Sequence, residues 1–205
     1  MTAPGARVRR YRPADLGDLY RICLRTGDGG RDATSLFADP MLLGHVFAGP
    51  YGLLEPSLAF VAEDDAGVGG YCLGALDTRA FEDRLERDWW PALRSRYPEP
   101  DIAAADQWTR DQQIAYLIHH PWRTGDDLVA DYPSHLHIDL LPRIQGAGNG
   151  RRLIDVQLGA LRARGSRGVH FQVRAANQRA LGFYRHLGFS TLGAGDTYTF
   201  GMLLG

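Results

Sequence analysis

The chain has 205 residues and no lysine, so all 23 of its basic residues are arginine. That absence removes the lysine of a phosphate-gripping P-loop and any acetylation of the protein's own lysine side chains. It is the composition expected of a GC-rich, bacterial coding sequence. Cysteine is scarce as well, with only Cys23 and Cys72. Isolated and flanked by apolar residues, they supply neither a disulfide framework nor a metal-binding spacing, and they are expected to be buried as small hydrophobes. No apolar run approaches the roughly 20 residues needed to span a bilayer. Residues 1–5 also lack the basic-then-apolar pattern of a secretion signal. A soluble, cytoplasmic protein with no membrane partner is the expectation. The formal net charge is −1, so the basic surface of a general nucleic-acid binder is missing too. What is present is a hydrophobic content of 44%, enough for one complete core. At this length residues 1–205 are expected to form one domain carrying an insertion rather than two domains.

Along the chain, residues 8–12 suggest a short opening strand. Pro13 then sits where a helix would begin, and Leu16, Leu19, Tyr20 and Cys23 recur at helical spacing. Residues 27–30 form a glycine-rich loop, and Asp39 followed by Pro40 signals a second helix start. Two apolar runs, 58–63 and 68–76, are joined by a turn and predict a hairpin. The composition then shifts: residues 78–97 and 103–119 predict two helices, and all four tryptophans (Trp89, Trp90, Trp108 and Trp122) fall in this region. Residues 78–133 are therefore expected to be a helical insertion between two strands. From residue 134 the pattern is a strand (135–141), a glycine turn, a helix (151–164), a strand (169–173), a helix capped by Asn177, and a terminal hairpin. That alternation predicts a mixed sheet covered by helices.

The densest chemical signal is the turn Gln145, Gly146, Ala147, Gly148, Asn149 and Gly150, which follows a strand and opens a helix. Glycines allow positive φ and close approach of a ligand to the backbone. The first amides of the following helix lack intrahelical partners, and the helix dipole favours an anion, so this turn is a candidate pyrophosphate site. A dinucleotide-binding turn would need a third glycine where Arg151 stands, and a P-loop would need Gly-Lys-Ser/Thr.

The spacing of Gln145, Gly148 and Gly150 is instead that of Gln/Arg-x-x-Gly-x-Gly/Ala. A second match lies downstream, with Asn177, Ala180 and Tyr184 followed by Leu187, Gly188 and Phe189. With both motifs in this order, the chain resembles the GNAT superfamily of acyl-CoA-dependent N-acyltransferases. Residues 20–23, 69–77 and 165–168, with the long insertion, are further similar to the acetyltransferase-like C-terminal domain of animal O-GlcNAc hydrolases (O-GlcNAcase). In that domain the pyrophosphate loop looks degenerate, whereas here it is intact. The resemblance implies an α/β (α+β) GNAT fold: a central mixed, mostly antiparallel twisted sheet flanked by helices, with the helical insertion between the third and fourth strands.

It also implies acetyl-CoA as cosubstrate and a small-molecule amine or peptide as acceptor. The pantetheine arm would lie along the strand ending at Leu140 and Leu141. Amides of Gly146, Ala147, Gly148, Asn149, Gly150 and Arg151 would hold the pyrophosphate, with the side chains of Gln145 and Arg151 at its margin. Asn177 would bond the arm, Ala180 would leave room for it, and a backbone N–H near Leu140 would receive the developing oxyanion. Tyr184 matches the general acid that protonates the departing sulfur. The base is open. His135, His137 and Asp139 share one face of an ideal strand, which suits either a proton relay or a solvated strand face. Family alignment puts Ser134 and Leu136 at the base positions unless a bulge changes the phase, and Asp139 is taken as the candidate. The insertion could wall the acceptor site, form a homodimer interface or simply pack. Asp88, Asp106 and Asp111 could attract a cationic amine or stay solvated. Two functions fit: an active N-acetyltransferase, or an acetyl-CoA-binding module that recognises a partner without turnover.

Overall fold

The computed structural model describes residues 6–205, so the reading of residues 1–5 lies outside it. Seven strands form one sheet in the order β1-β2-β3-β4-β5-β7-β6. They are β1 (Arg7–Arg10), β2 (Ala59–Asp64), β3 (Gly67–Ala75), β4 (Ser134–Leu140), β5 (Gly168–Arg174), β6 (Ser190–Gly193) and β7 (Thr197–Leu203). Every neighbouring pair is antiparallel except β4 and β5, which are parallel. Parallel strands need a crossover. It is supplied by α8 (Asn149–Arg162), whose Leu153, Ile154, Leu158 and Leu161 recur on one face and are all buried.

Period-two alternation then divides the core between the two sheet faces. Cys72, Leu136, Phe171 and Phe200 face α8 and α9 (Gln178–His186), and they pack with Leu153, Leu181 and Tyr184. Val61, Tyr71 and Leu73 point the other way, onto Leu19, Ile22 and Cys23 of α1 (Leu16–Thr26). Both thiols are buried, as their apolar neighbours suggest. Beyond α1 lie α2 (Leu42–Phe47) and α3 (Gly49–Leu54). The ring of Tyr20 lies so close to α2 and α3 that a Cβ on Gly44 or Gly49 would come within 2.3 Å of it.

Between β3 and β4 the chain is helical, but it differs in detail from the periodicity. A single helix over 78–97 is expected. Instead α4 (Thr78–Arg84) and α5 (Trp90–Arg96) are separated by a wider, π-type turn over Leu85–Trp89. Pro91 lacks the N–H that a regular turn requires, and the wider turn relieves the clash of its ring with the preceding carbonyls. The expected helix over 103–119 is likewise broken. A 3-10 segment (Ile102–Gln107) precedes α6 (Arg110–His119), which starts at a capping box: Thr109 Oγ1 accepts from Gln112 N at 3.2 Å and Gln112 Oε1 accepts from Thr109 N at 2.8 Å. A further short helix, α7 (Asp126–Asp131), has no apolar periodicity to announce it.

The insertion docks on α2 through Leu42, Trp90, Leu93 and Ile118. Trp89 donates to the His45 carbonyl (2.9 Å) and Trp108 packs on Tyr116, whereas Trp122 is 73% exposed. Of the acids expected to attract an amine, Asp111 accepts the amides of Ala38 and Asp39 and Asp88 pairs with Arg87. Those two carboxylates are occupied by the protein itself. Among the described residues no helix is long and apolar enough to cross a membrane.

One core residue opposes this economy of paired groups. Gln157 of α8 is fully buried over Gly74, and neither of its amide atoms has a hydrogen-bond partner among the described residues. Burying an unmade polar group costs about 1–3 kcal/mol. Gln157→Met keeps the volume without that cost, so it is expected to raise the unfolding free energy by about 1 kcal/mol. Urea titration checks this; a loss of stability would show that the amide is satisfied in solution.

Candidate active site

The parallel pair that the crossover creates is incomplete. β4 and β5 are in register only at Ser134–Val169 and His135–His170, at their N-terminal ends. Beyond that they diverge, and a slot opens through the sheet toward their C-terminal ends. Pairing with β3 fixes which groups face it. Leu141 N–H bonds Gly69 O at 2.8 Å, and the β3–β4 register runs without a shift from Gly70–Leu140 to Ala75–His135. In an antiparallel pair, alternate residues exchange both bonds. The odd-numbered residues of β4 therefore pair with β3, while Ile138 and Leu140 turn their backbone groups to the open side. This corrects the expectation for Leu141, which is committed to β3 with its side chain buried on the α1 face, whereas Ile138 and Leu140 border the open side. No bulge changes the phase between β3 and β4.

At the end of the slot, Gly146, Ala147 and Gly148 all have positive φ (80°, 44° and 74°). Three successive positive-φ residues curl the chain into a concave nest, and α8 starts from it. The amides of Gly146, Ala147, Gly148, Gly150 and Arg151 have no acceptor among the described residues, while Asn149 N–H is taken by Gly146 O at 3.1 Å. Asn149 thus belongs to the scaffold: its side chain is buried, donates to Ile144 O (2.7 Å) and accepts from Arg152. Arg152 also donates to Ala147 O at 3.0 Å, bracing the turn. Gly150 has a packing role besides its free amide, because a Cβ there would meet the Phe183 ring at 3.2 Å. The Arg151 side chain is 61% exposed beside Asp155, at the rim. Gln145 spans the mouth. Its Nε2 donates to Leu140 O (2.8 Å) and its Oε1 accepts from Arg179 (2.5 Å), which joins the end of β4 to α9.

Asn177 caps α9 by accepting from Ala180 N at 3.2 Å, which leaves its Nδ2 toward Gly30. Ala180 is half-buried against the α8-face core. One turn on, Tyr184 lies in an aromatic cage, with its ring centroid 4.4 Å from Phe171 and 5.7 Å from Phe200. Burial pushes its phenol well above the usual range, and the charge of Asp139 adds to the rise. These two candidate catalytic residues, on opposite faces of the sheet, therefore feel each other across the slot.

Asp139 is not a lone carboxylate. It accepts from Tyr71 Oη at 2.6 Å and lies 3.1 Å from His137 Nε2; Tyr71 Oη and His137 Nε2 are themselves 3.1 Å apart. Cys23 Sγ completes the cluster from α1. Burial drives the Tyr71 and Cys23 protons off less readily, and the adjacent Asp139 charge adds to both effects. His137 and Asp139 keep partial access, at 32% and 20% side-chain exposure. Tyr71 escaped the sequence reading because a residue directly opposite Asp139 is 68 positions away in the chain.

The other candidates on this strand separate from the cluster. Ser134 is buried and bonded to Leu76 O, and Leu136 is core. His135 is held at both ring nitrogens. Thr78 Oγ1 donates to Pro133 O (2.8 Å), so it accepts from His135 Nδ1–H (2.9 Å), and His135 Nε2 accepts from Tyr51 Oη (2.9 Å). The ring is thereby fixed as a neutral tautomer with no free lone pair.

The acetyltransferase (GNAT) family model matches residues 82–189. The chain is 29% identical to the protein O-GlcNAcase of Rattus norvegicus over 184 residues, 88% of this chain but 20% of that protein. It therefore spans one fifth of that relative's length. It is 32% identical to the mycothiol acetyltransferase of Beutenbergia cavernae over 194 residues, covering 93% of this chain and 59% of that one. Among solved structures, SsHAT superposes with a TM-score of 0.90 at 42% identity, covering 98% of this chain and all of that one. The yncA protein of Salmonella typhimurium, a putative acetyltransferase solved with its cofactor acetyl-CoA, gives 0.57 at 14% identity over 98% and 95% of the two chains. At that identity the likeness is one of fold.

The enclosure of His135 has a measurable consequence. Burial, reinforced by neighbouring His170 and His137, lowers its pKa to about 3, against about 6.5 in an unfolded chain. Between these values the unfolded state binds the extra proton, so stability falls as pH drops from about 6.5 toward 3, by at most about 1.4 kcal/mol per pH unit. Unfolding titrations between those limits should show a slope about one proton flatter in His135→Asn than in the parent. Equal slopes would mean that His135 titrates normally.

Proposed function

Because the chain belongs to the acetyltransferase (GNAT) family, we propose that it binds acetyl-CoA and transfers the acetyl group to an amine. The observation that carries this reading is the divergence of β4 from β5 beside a nest of unpaired amides. A slot bordered by free backbone groups suits an extended, amide-bearing arm. The nest at the start of a 14-residue helix suits a pyrophosphate. Acetyl-CoA, when bound, supplies an acetyl group activated as a thioester.

The residues then divide the work. Amides of Gly146, Ala147, Gly148, Gly150 and Arg151 receive negative charge. The slot-facing backbone groups of Ile138 pair with the arm, and the N–H of Leu140, whose carbonyl already accepts from Gln145 Nε2, is the donor for charge developing on the acyl oxygen. Asn177 offers its Nδ2 to the arm. Asp139 removes the proton from the attacking amine, and His137, touching Asp139 and partly exposed, passes it to solvent. Tyr184 gives its proton to the sulfur. A phenol is protonated at neutral pH, as a general acid requires, and burial holds it further in that form. In the balanced step a C–N bond forms, the C–S bond breaks, one proton leaves the amine and one reaches the departing thiolate sulfur, giving the free thiol.

Calorimetry with acetyl-CoA and thiol release across an amine panel test the proposal. Binding and turnover are expected. Tyr184→Phe should cut kcat by about 100-fold while leaving the Kd for acetyl-CoA within about twofold. No binding at near-millimolar acetyl-CoA sinks the proposal. Binding without thiol release from any amine assigns the chain instead to acetyl-CoA-dependent recognition without turnover.

A further inference from the structure

Where β5 ends, the loop that follows α1 closes against the start of α9. Gly30 (φ 89°) approaches so closely that a Cβ there would stand 3.2 Å from Asn177 Nδ2. Between this loop and the β5–α9 junction is an open cavity of about 330 Å³. Its walls carry Arg31, Arg174 and Arg179 against a single carboxylate, Asp28. That carboxylate is occupied, because Asp28 accepts two bonds from Arg31, at 3.1 and 2.8 Å. Among the described residues Arg179 bonds only the neutral amide of Gln145. Arg174 takes part in no ion pair among the described residues. Two guanidinium charges are thus left uncompensated at the head of α9, where the helix dipole adds further positive potential.

The cavity stands at the open end of the slot. Arg174 is the last residue of β5 and Leu140 the last of β4, and Arg179, Gln145 and Leu140 O form one hydrogen-bonded chain between them. The loop bearing Arg31 continues α1, which also brings Cys23 to Asp139. The free amides of the nest form a separate anion site at the start of α8. We infer that the cavity receives a carboxylate of the acceptor, so that the substrate is an amine that also carries an acid group, such as an amino acid or a short peptide. The inference rests on the acetyl-transfer reading and specifies the substrate class for it. Guanidinium–carboxylate pairing orients such an acceptor with its amine toward Asp139.

The test is calorimetry on the full chain with CoA present, using alanylglycine and its C-terminal amide as probes. The free carboxylate should bind about tenfold more tightly, the worth of one charge-assisted hydrogen bond. Arg174→Gln and Arg31→Gln should each shrink that preference. Both side chains are exposed, that of Arg31 at 80%, so the variants retain the fold. Equal affinities, or binding of neither probe, overturn the inference. So does an Arg174→Gln variant that loses affinity for CoA but not for dephospho-CoA, since the cavity would then hold the cofactor's 3′-phosphate. Thiol release keeps the two readings distinguishable. Carboxylate-selective binding without turnover overturns catalysis but not the site, and equal turnover of both probes overturns the site but not catalysis.

Discussion

The candidate site depends on a parallel strand pair that stops short. If β4 and β5 stayed in register along their length, Ile138 and Leu140 would spend their backbone groups on Val173 and its neighbours, and the sheet would be closed. Because only two residue pairs are in register, a wedge opens, and its floor is the paired start of the two strands. That floor is held from outside the sheet. Thr78, Tyr51 and Tyr132 bond the rings of His135 and His170, which sit beside each other at the last paired position. The insertion and α3 are therefore tied to the point from which the strands part.

The wedge also explains how groups from opposite faces of the sheet come to work together. Side chains on a strand alternate between faces, so Asp139 belongs with α1 and Tyr184 with α8 and α9. The strands part between the two faces, and the Asp139 charge adds to the burial that raises the Tyr184 pKa. The two environments are otherwise unlike. Tyr184 is enclosed by four phenylalanines, which keeps its proton in place. Asp139 is enclosed by hydrogen-bonding groups with a partly exposed histidine beside it, which gives a proton a way out.

Much of the architecture was legible locally. The order of elements, the hairpin of β2 and β3, the crossover helix and the cap at Asn177 each rest on patterns within about ten residues, where period and capping chemistry act directly. The glycine turn was legible for the same reason: positive φ at Gly146 and Gly148 is a property of the residues themselves. The misreadings were local conflicts that periodicity does not see. Pro91 widens one helix of the insertion and the capping box at Thr109 restarts another. At the site, the role of Asn149 was misjudged, because a polar residue in a binding turn can serve as its brace. Nothing in the sequence distinguishes an amide that faces outward from one already bonded to Gly146 O.

By itself, then, the sequence determined the chain's covalent vocabulary and its local geometry: arginine as the only strong cation, a nest of amides at a helix start, a phenol one turn after Ala180, and two imidazoles and one acid at alternate positions of one strand. Tertiary structure decided which of these meet. The phase of β4 against β3 turned Ile138 rather than Leu141 to the slot, placed Tyr71 opposite Asp139, and set His137 within reach while His135 was locked away. It also gathered Arg31, Arg174 and Arg179 around one cavity. The physical reason is that strand register and helix docking are settled by the burial of whole faces. That burial energy is shared among many residues far apart in the chain, so no local spacing encodes it.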